Sequence, residues 1–196
     1  MDKSRQSLAP AGMIEKLGGM VNKKRFIHSL GVMQMAHGIA EKFGLDGKKA
    51  ACAGLLHDCA RDLKPRKAAY FIKKYRVKFD PVSKKIPALW HSFLGEFVAK
   101  EEFGVNDREI LEAIKYHTAG NAAMGQVAKA VYIADYSEIN RKYHSSEKIR
   151  AKIKTKISLD ELVRLVLKDK IAYLIEEGKL IHKDSVDMWN KYNHNI

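Results

Sequence analysis

From Met13 onward apolar residues recur at helical spacing, and no stretch sustains the every-other-residue alternation of a half-buried strand, so the chain reads as all-α. Phe43-Gly44-Leu45-Asp46 and Phe103-Gly104-Val105-Asn106 each place a glycine helix stop before a fresh N-cap. Asp62 to Pro65 closes a helix carrying Ala50 to Arg61, because the residue before a proline is pushed out of the helical region. Asp80-Pro81 and Pro87 mark a longer loop ahead of the helix that holds Trp90-His91. The charge-rich stretch from Ser145 to Lys156 reads as a loosely packed connection, followed by a capping box of Ser158 and Glu161. A last helix starts near Asp184. Residues 1–11, mixed and polar with Pro10, are expected to form a flexible N-terminus, and residues 12–196 a single domain without internal repeats.

Composition narrows the class. The chain has 196 residues, 46% of them hydrophobic, enough to fill one core and too few for a second full domain. Lysine and arginine number 36 against 23 acidic residues, for a formal charge of +13. Such a field favours anionic partners, whether nucleic acid, an anionic membrane surface or a small polyphosphate, and charge alone does not choose among them. The two cysteines, Cys52 and Cys59, lie seven residues apart, about 10 Å along a helix, and cannot pair within it. Without a disulfide framework, a cleavable leader pattern or a long apolar run, the expectation is a cytoplasmic protein that does not span a membrane.

The candidate chemistry lies in histidines and carboxylates set among apolar residues. His28, His57, His91 and His117 all fall on predicted helices amid apolar neighbours. A single imidazole in such a place is ordinarily a satisfied core or surface histidine; four of them, together with acids, ask for another explanation. Asp58 follows His57 directly in Leu55-Leu-His-Asp58, where a buried carboxylate calls for a cation. Asp135 interrupts the apolar run Val131-Tyr-Ile-Ala-Asp135 and is read either as a second such group or as a cap or structural ion pair. Small residues at Ala50, Ala51, Ala53 and Gly54 allow neighbouring helices to come close to this point.

Taken in order, Arg25-Phe-Ile-His28, Leu55-Leu-His-Asp58, Leu89-Trp-His91, Ile114-Lys-Tyr-His-Thr118 and Tyr132-Ile-Ala-Asp135 resemble the motifs of the HD superfamily. The longer segments His57-Asp-Cys-Ala-Arg-Asp62, Tyr116-His-Thr-Ala-Gly120, Asp135-Tyr-Ser-Glu-Ile-Asn-Arg141 and Glu177-Gly-Lys-Leu-Ile-His182 are similar to the YqeK group within it. The resemblance implies a helical bundle with a metal centre between helices. It also implies symmetrical hydrolysis of diadenosine tetraphosphate to two ADP. Carried over by position, it assigns one metal to His28, His57, Asp58 and Asp135, with Asp58 bridging to a second metal held by His91 and His117. Iron is the implied metal, and the imidazole and carboxylate set also suits manganese or zinc. Two such ions lower the pKa of a shared water toward neutrality and provide an activated hydroxide for attack at phosphorus.

Around these ligands, Arg25, Arg61 and Arg141 are the candidate phosphate-binding cations, with a surface ion pair as the alternative for each. Arg61 lies one turn beyond His57 and Arg25 one turn before His28, if helix continues through both. Asp62 is expected to orient Arg61 or relay a proton, which places Asp58, Arg61 and Asp62 in the candidate catalytic set. Thr118, Gly120 and Tyr136 complete the candidate substrate contacts, beside the alternatives of a helix-ending loop and core packing. Cys59 is assigned to packing, and His37, His144, His182 and His194 to surface or structure. Three rivals stay open: another HD phosphohydrolase acting on a nucleotide, a cyclic dinucleotide or a guanosine alarmone; an HD-type di-iron oxygenase; and a non-catalytic basic module binding nucleic acid. The arginines beside the motifs favour phosphate chemistry over oxygen activation, a nucleic-acid module would show strong salt dependence and indifference to metal removal, and a homodimer is compatible with the chain's size.

Overall fold

The computed structural model describes residues 8–193, and among them it contains helices and no strand. In chain order these are α1 (Ala11–Met20), α2 (Lys23–Lys42), α3 (Gly47–Leu56), α4 (Pro65–Lys74), α5 (Pro81–Lys85), a 3-10 turn at Pro87–Leu89, α6 (Trp90–Phe103), α7 (Arg108–Tyr116), α8 (Gln126–Ser137), α9 (His144–Ile153), α10 (Leu159–Glu176) and α11 (Lys183–Asn193). The all-helical expectation holds. Residues 1–7 of the expected flexible N-terminus, and His194, lie outside the described residues; Ala9 is buried ahead of α1. No helix among the described residues is long and apolar enough to cross a membrane.

The centre of the molecule is a layer of α2, α3, α7 and α8, with α6 packed against α7 and α10 against α8. Val32, Ala36, Ile39, Leu55, Leu56, Ile114, Val131 and Ile133 are all fully or nearly fully buried at this junction. The small-residue run in α3 does what its pattern suggested. A Cβ added at Gly54 would come within 2.9 Å of the Val32 carbonyl oxygen, so only glycine permits this approach of α3 to α2. The ends of α3 and α7 there meet the second turn of α2 and the last turn of α8.

The glycine stops are real: Gly44 and Gly104 both take φ of +67°, and Gly104 caps α6. Asp46 caps α3 as expected, but α7 is capped by Asp107, whose carboxylate accepts from the amides of Glu109 and Ile110, and not by Asn106. Ser158 accepts from the Glu161 amide at the start of α10, while the Glu161 carboxylate turns to Arg164.

Two expected elements differ. The helix drawn from Ala50 to Arg61 stops at Leu56, and residues 57–62 continue as tight turns with i+3 bonds from Cys59 N to Leu56 O and Arg61 N to Asp58 O. The stretch from Ser145 onward is not loose: it forms α9, because Ser146 and Ile149 reach the core on one face while the lysines stay outside. Cys52 and Cys59 are both free, and Cys59 is packed against the Gly95 carbonyl, as its packing assignment anticipated.

Candidate metal centre

Three of the four candidate histidines are held by the same local device. His57 and His117 follow directly on the ends of α3 and α7, and His91 sits in the first turn of α6. In each, Nδ1 lies 2.7 Å from the carbonyl oxygen three residues earlier, that of Gly54, Ala88 and Ile114 respectively. For His57 and His117 this contact fixes Nδ1 as the protonated nitrogen and leaves a lone pair on Nε2, aimed away from the backbone. Burial pushes the pKa of both rings down, that of His117 well down, which favours the neutral form that ligates a metal.

These nitrogens converge on the two carboxylates. His57 Nε2 lies 3.7 Å from an oxygen of Asp58 and 3.7 Å from one of Asp135, and it has no hydrogen-bond partner although fully buried. Asp58 presents its other oxygen 3.2 Å from His91 Nε2 and 3.7 Å from His117 Nε2, and those two nitrogens are 3.0 Å apart. His28 closes the circle from α2, with Nε2 3.0 Å from Asp135 Oδ1 and Nδ1 3.1 Å from Glu138 Oε1. The potential ligand atoms of His28, His57 and Asp58 lie within 4.8 Å of one another, as do those of Asp58, His91 and His117. Asp58 belongs to both groups.

An arrangement of acceptors facing acceptors is unstable in a dry interior unless cations join them. The orphaned Nε2 of His57 between two carboxylates is the sharpest instance, and an imidazole and carboxylate donor set without thiolate suits a divalent transition metal. The residues present therefore fit a metal pair. Burial opposes ionisation of Asp58, yet the imidazoles of His57, His91 and His117 hold its carboxyl well below the usual range. Asp135 is likewise held far down against burial, chiefly by His28 and His57. In His28 burial works against the charged ring, but Asp135 and Glu138 outweigh it and raise the pKa.

The cluster lies in a cleft of about 790 Å³, whose walls include Lys24, Arg25, Arg61, Arg141, Lys142 and Lys170. Arg25 places Nη1 2.8 Å from Asp58 and Nε 3.2 Å from Asp62. Arg141 places Nη2 3.1 Å from Asp135 and donates through Nε to the Asp135 carbonyl. Arg61 donates to the Ala88 carbonyl and lies 2.7 Å from His91 Nδ1. The turn that ends α3 early swings Arg61 toward α6 and not along the face of His57. Thr118 Oγ1 is 2.8 Å from His117 Nε2 and 3.2 Å from His91 Nε2, so the hydroxyl faces the cluster.

Three expectations change. Asp62 is paired with Arg25 and accepts from both the backbone and side-chain nitrogens of Asn22, so it orients Arg25 and not Arg61. Gly120 is not at the cleft; with φ of +73° it packs against the Met188 sulfur and leaves no room for a Cβ. Tyr136 turns its hydroxyl toward Asp169, 3.3 Å away, and does not line the cleft. His182, assigned to structure, is buried and bonds Asp80 through Nε2 at 2.8 Å.

Among the cleft residues without a sequence signal of their own are Glu138 and Lys170. Glu138 holds His28 from behind and accepts from the backbone and side chain of Asn140, and it fills the space that Gly31 leaves open. It stands inside the quoted segment from Asp135 to Arg141, three residues after the ligand. Lys170 reaches in from α10, donating to the Thr118 carbonyl at 3.0 Å, with its ammonium 4.0 Å from the centre of the Tyr132 ring. Burial pushes its pKa down to about 8. In the sequence it stands only as a lysine among the apolar positions Val166, Leu167 and Ile171.

The chain is similar to several known proteins. The HD domain family matches residues 25–140. The symmetrical bis(5'-nucleosyl)-tetraphosphatase of Bacillus subtilis is 31% identical, over 87% of this chain and 90% of that protein. The enzyme of the same name from Staphylococcus aureus is 32% identical, over 88% of each. Among solved structures, that of a predicted HD superfamily hydrolase involved in NAD metabolism from Clostridium acetobutylicum matches with a TM-score of 0.86 and 28% identity, covering 94% of this chain and 97% of that one.

Proposed function

The chain belongs to the HD-domain hydrolases, in the group of symmetrical bis(5'-nucleosyl)-tetraphosphatases, and on that premise we propose that it splits diadenosine tetraphosphate at its central anhydride into two ADP. The observation that carries this reading is the cluster of four imidazoles and two carboxylates at the floor of a cleft walled by cations. His28, His57, Asp58 and Asp135 would hold one divalent metal, and Asp58, His91 and His117 the other, iron being the metal the resemblance favours. Bound there, such ions supply charge neutralisation on phosphoryl oxygens and an activated water at neutral pH.

The chain's own residues do the rest. Arg25, Arg61, Arg141 and Lys170 surround the cluster and bind the polyphosphate, spreading positive charge along a chain whose negative charge grows as the anhydride bond breaks. Asp62 and Asn22 hold Arg25 at the angle that faces Asp58. Thr118 offers a hydroxyl beside His91 and His117 that can donate to a phosphoryl oxygen. Water adds to one central phosphorus, the bridging oxygen leaves on the other ADP, and the two protons of the water go to the two new terminal phosphates, from which they pass to solvent as those phosphates ionise. No covalent nucleophile of the protein is required. We place this activity in the cytoplasm, in a single domain over residues 12–196.

Product analysis tests the reading. Metal-reconstituted protein is expected to convert diadenosine tetraphosphate to ADP as the sole nucleotide product. ATP with AMP, or no hydrolysis by protein that holds its metals, would overturn it.

A further inference from the structure

The cleft has two sides, one at each group of metal ligands. On the side of His91 and His117 stands Thr118, which together with Lys170 also borders a largely apolar cavity of about 630 Å³. On the side of His28 the lining includes Ile27, next to that ligand on α2, and Tyr143, two residues after Arg141 in the turn from α8 to α9. Arg141 itself reaches Asp135 at 3.1 Å, so this turn is held against the His28 group.

Ile27 and Tyr143 are out of place by the ordinary rules of burial. The rest of the cleft lining is polar or charged, yet Ile27 is 45% exposed and Tyr143 67%. Tyr143 also occupies the N-cap of α9, a position where a short polar side chain ordinarily accepts a bond from the first turn. It makes no such bond. Its ring therefore neither caps the helix nor fills the core, and it stands in solvent as an open aromatic face at the border of a cationic cleft. Lys24 and Lys142 flank the same border, both exposed and without a carboxylate partner among the described residues. The acids of this side are already engaged, Asp135 with His28 and Arg141, and Glu138 with His28 and Asn140.

We propose that Tyr143 and Ile27 form the seat of the nucleoside whose phosphates leave the cluster past His28, the base stacking on the Tyr143 ring. Lys24 and Lys142 meet the phosphates on that side. The proposal rests on the dinucleoside polyphosphate reading and adds a recognising surface to it. A cut at the central anhydride leaves a nucleoside and two phosphates on each side of the cluster. With the anhydride held across both metal groups, one base lies beyond the His28 group, where the lining offers it an apolar side chain and an aromatic ring. A polyphosphate needs neither; a purine needs both, because its faces are apolar and polarisable while its edges stay hydrated.

The experiment uses the full-length, metal-loaded protein and two ligands: diadenosine tetraphosphate as substrate, and inorganic tetraphosphate, the same phosphate chain without nucleosides, as competitive inhibitor. Tyr143→Ala is expected to raise KM for the dinucleotide about tenfold, the scale of one base stacked on one aromatic ring. Its kcat, its metal content and its inhibition constant for inorganic tetraphosphate should match the wild type. Tyr143→Phe keeps the ring and should restore the wild-type KM. An unchanged KM in Tyr143→Ala overturns the proposal, as does a rise that inorganic tetraphosphate shares or that Tyr143→Phe fails to rescue. A change of oligomeric state in Tyr143→Ala also overturns it, by giving this face to a second copy of the chain. ADP as sole product with an unmoved KM refutes only the Tyr143 assignment. ATP and AMP as products, with the Tyr143→Ala effect still confined to the dinucleotide, refute only the symmetrical reaction.

Discussion

The two adjoining cavities differ in what holds them together. The cleft collects His28, His57, Asp58, His91, His117 and Asp135 from α2, the end of α3, α6, the end of α7 and α8, and leaves the buried His57 Nε2 without a hydrogen-bond partner between two carboxylates. The apolar cavity is lined largely by α10 and the segment behind it, and its polar groups are few. Metal ligation and apolar lining are therefore carried by different elements of one domain, meeting at Thr118 and Lys170. Substitutions in the first region should remove turnover, and those in the second should leave metal content unchanged.

The most drastic way to test that division is Asp58→Ala. Asp58 faces three imidazoles and stands in both ligand groups, so its loss should release both metals and lower turnover by at least about 10³-fold, checked by metal analysis beside the assay. Retained turnover would mean that the cleft is not the reacting region. Arg61→Ala sharpens the comparison within the cleft: kcat should fall by about 10²-fold while metal content stays, because Arg61 touches the His91 ring from outside the ligand set. The mildest effect is expected from Asp80→Asn, far from the cluster but tied to His182. It should cost about 1–2 kcal/mol of stability, read by denaturant unfolding, without changing kcat. A fall in kcat there would show that the two regions are not separable.

The cleft was far more legible in the sequence than the cavity, and the reason is local. His57-Asp58, His91 and His117 sit in short motifs at helix ends, where the imidazole is oriented by a carbonyl three residues away. Each imidazole is set by its own turn, and it is the four together with the two acids, in the order of the motifs, that make the site recognisable. Where a side chain's role depends on what crosses over it, the sequence was mute. Lys170 is a cation on an apolar stripe until α10 is laid beside α8, and Glu138 supports His28 only because Gly31 makes room for it. Asp62 was read with its near neighbour Arg61, but early termination of α3 sends the two apart and gives Asp62 to Arg25. Tyr136 and Gly120 follow the same lesson: adjacency to a ligand in sequence did not bring them to the cleft. The α9 segment was misjudged because its charge hid the buried positions Ser146 and Ile149.

One carboxylate, Asp58, is proposed to join two metal positions in a single cluster. Metal analysis of the purified chain, reconstituted anaerobically with ferrous iron and freed of loosely bound ion, tests it most directly. Two equivalents per chain, both lost in Asp58→Ala, are the predicted result. One equivalent, or two that survive that substitution, would contradict it.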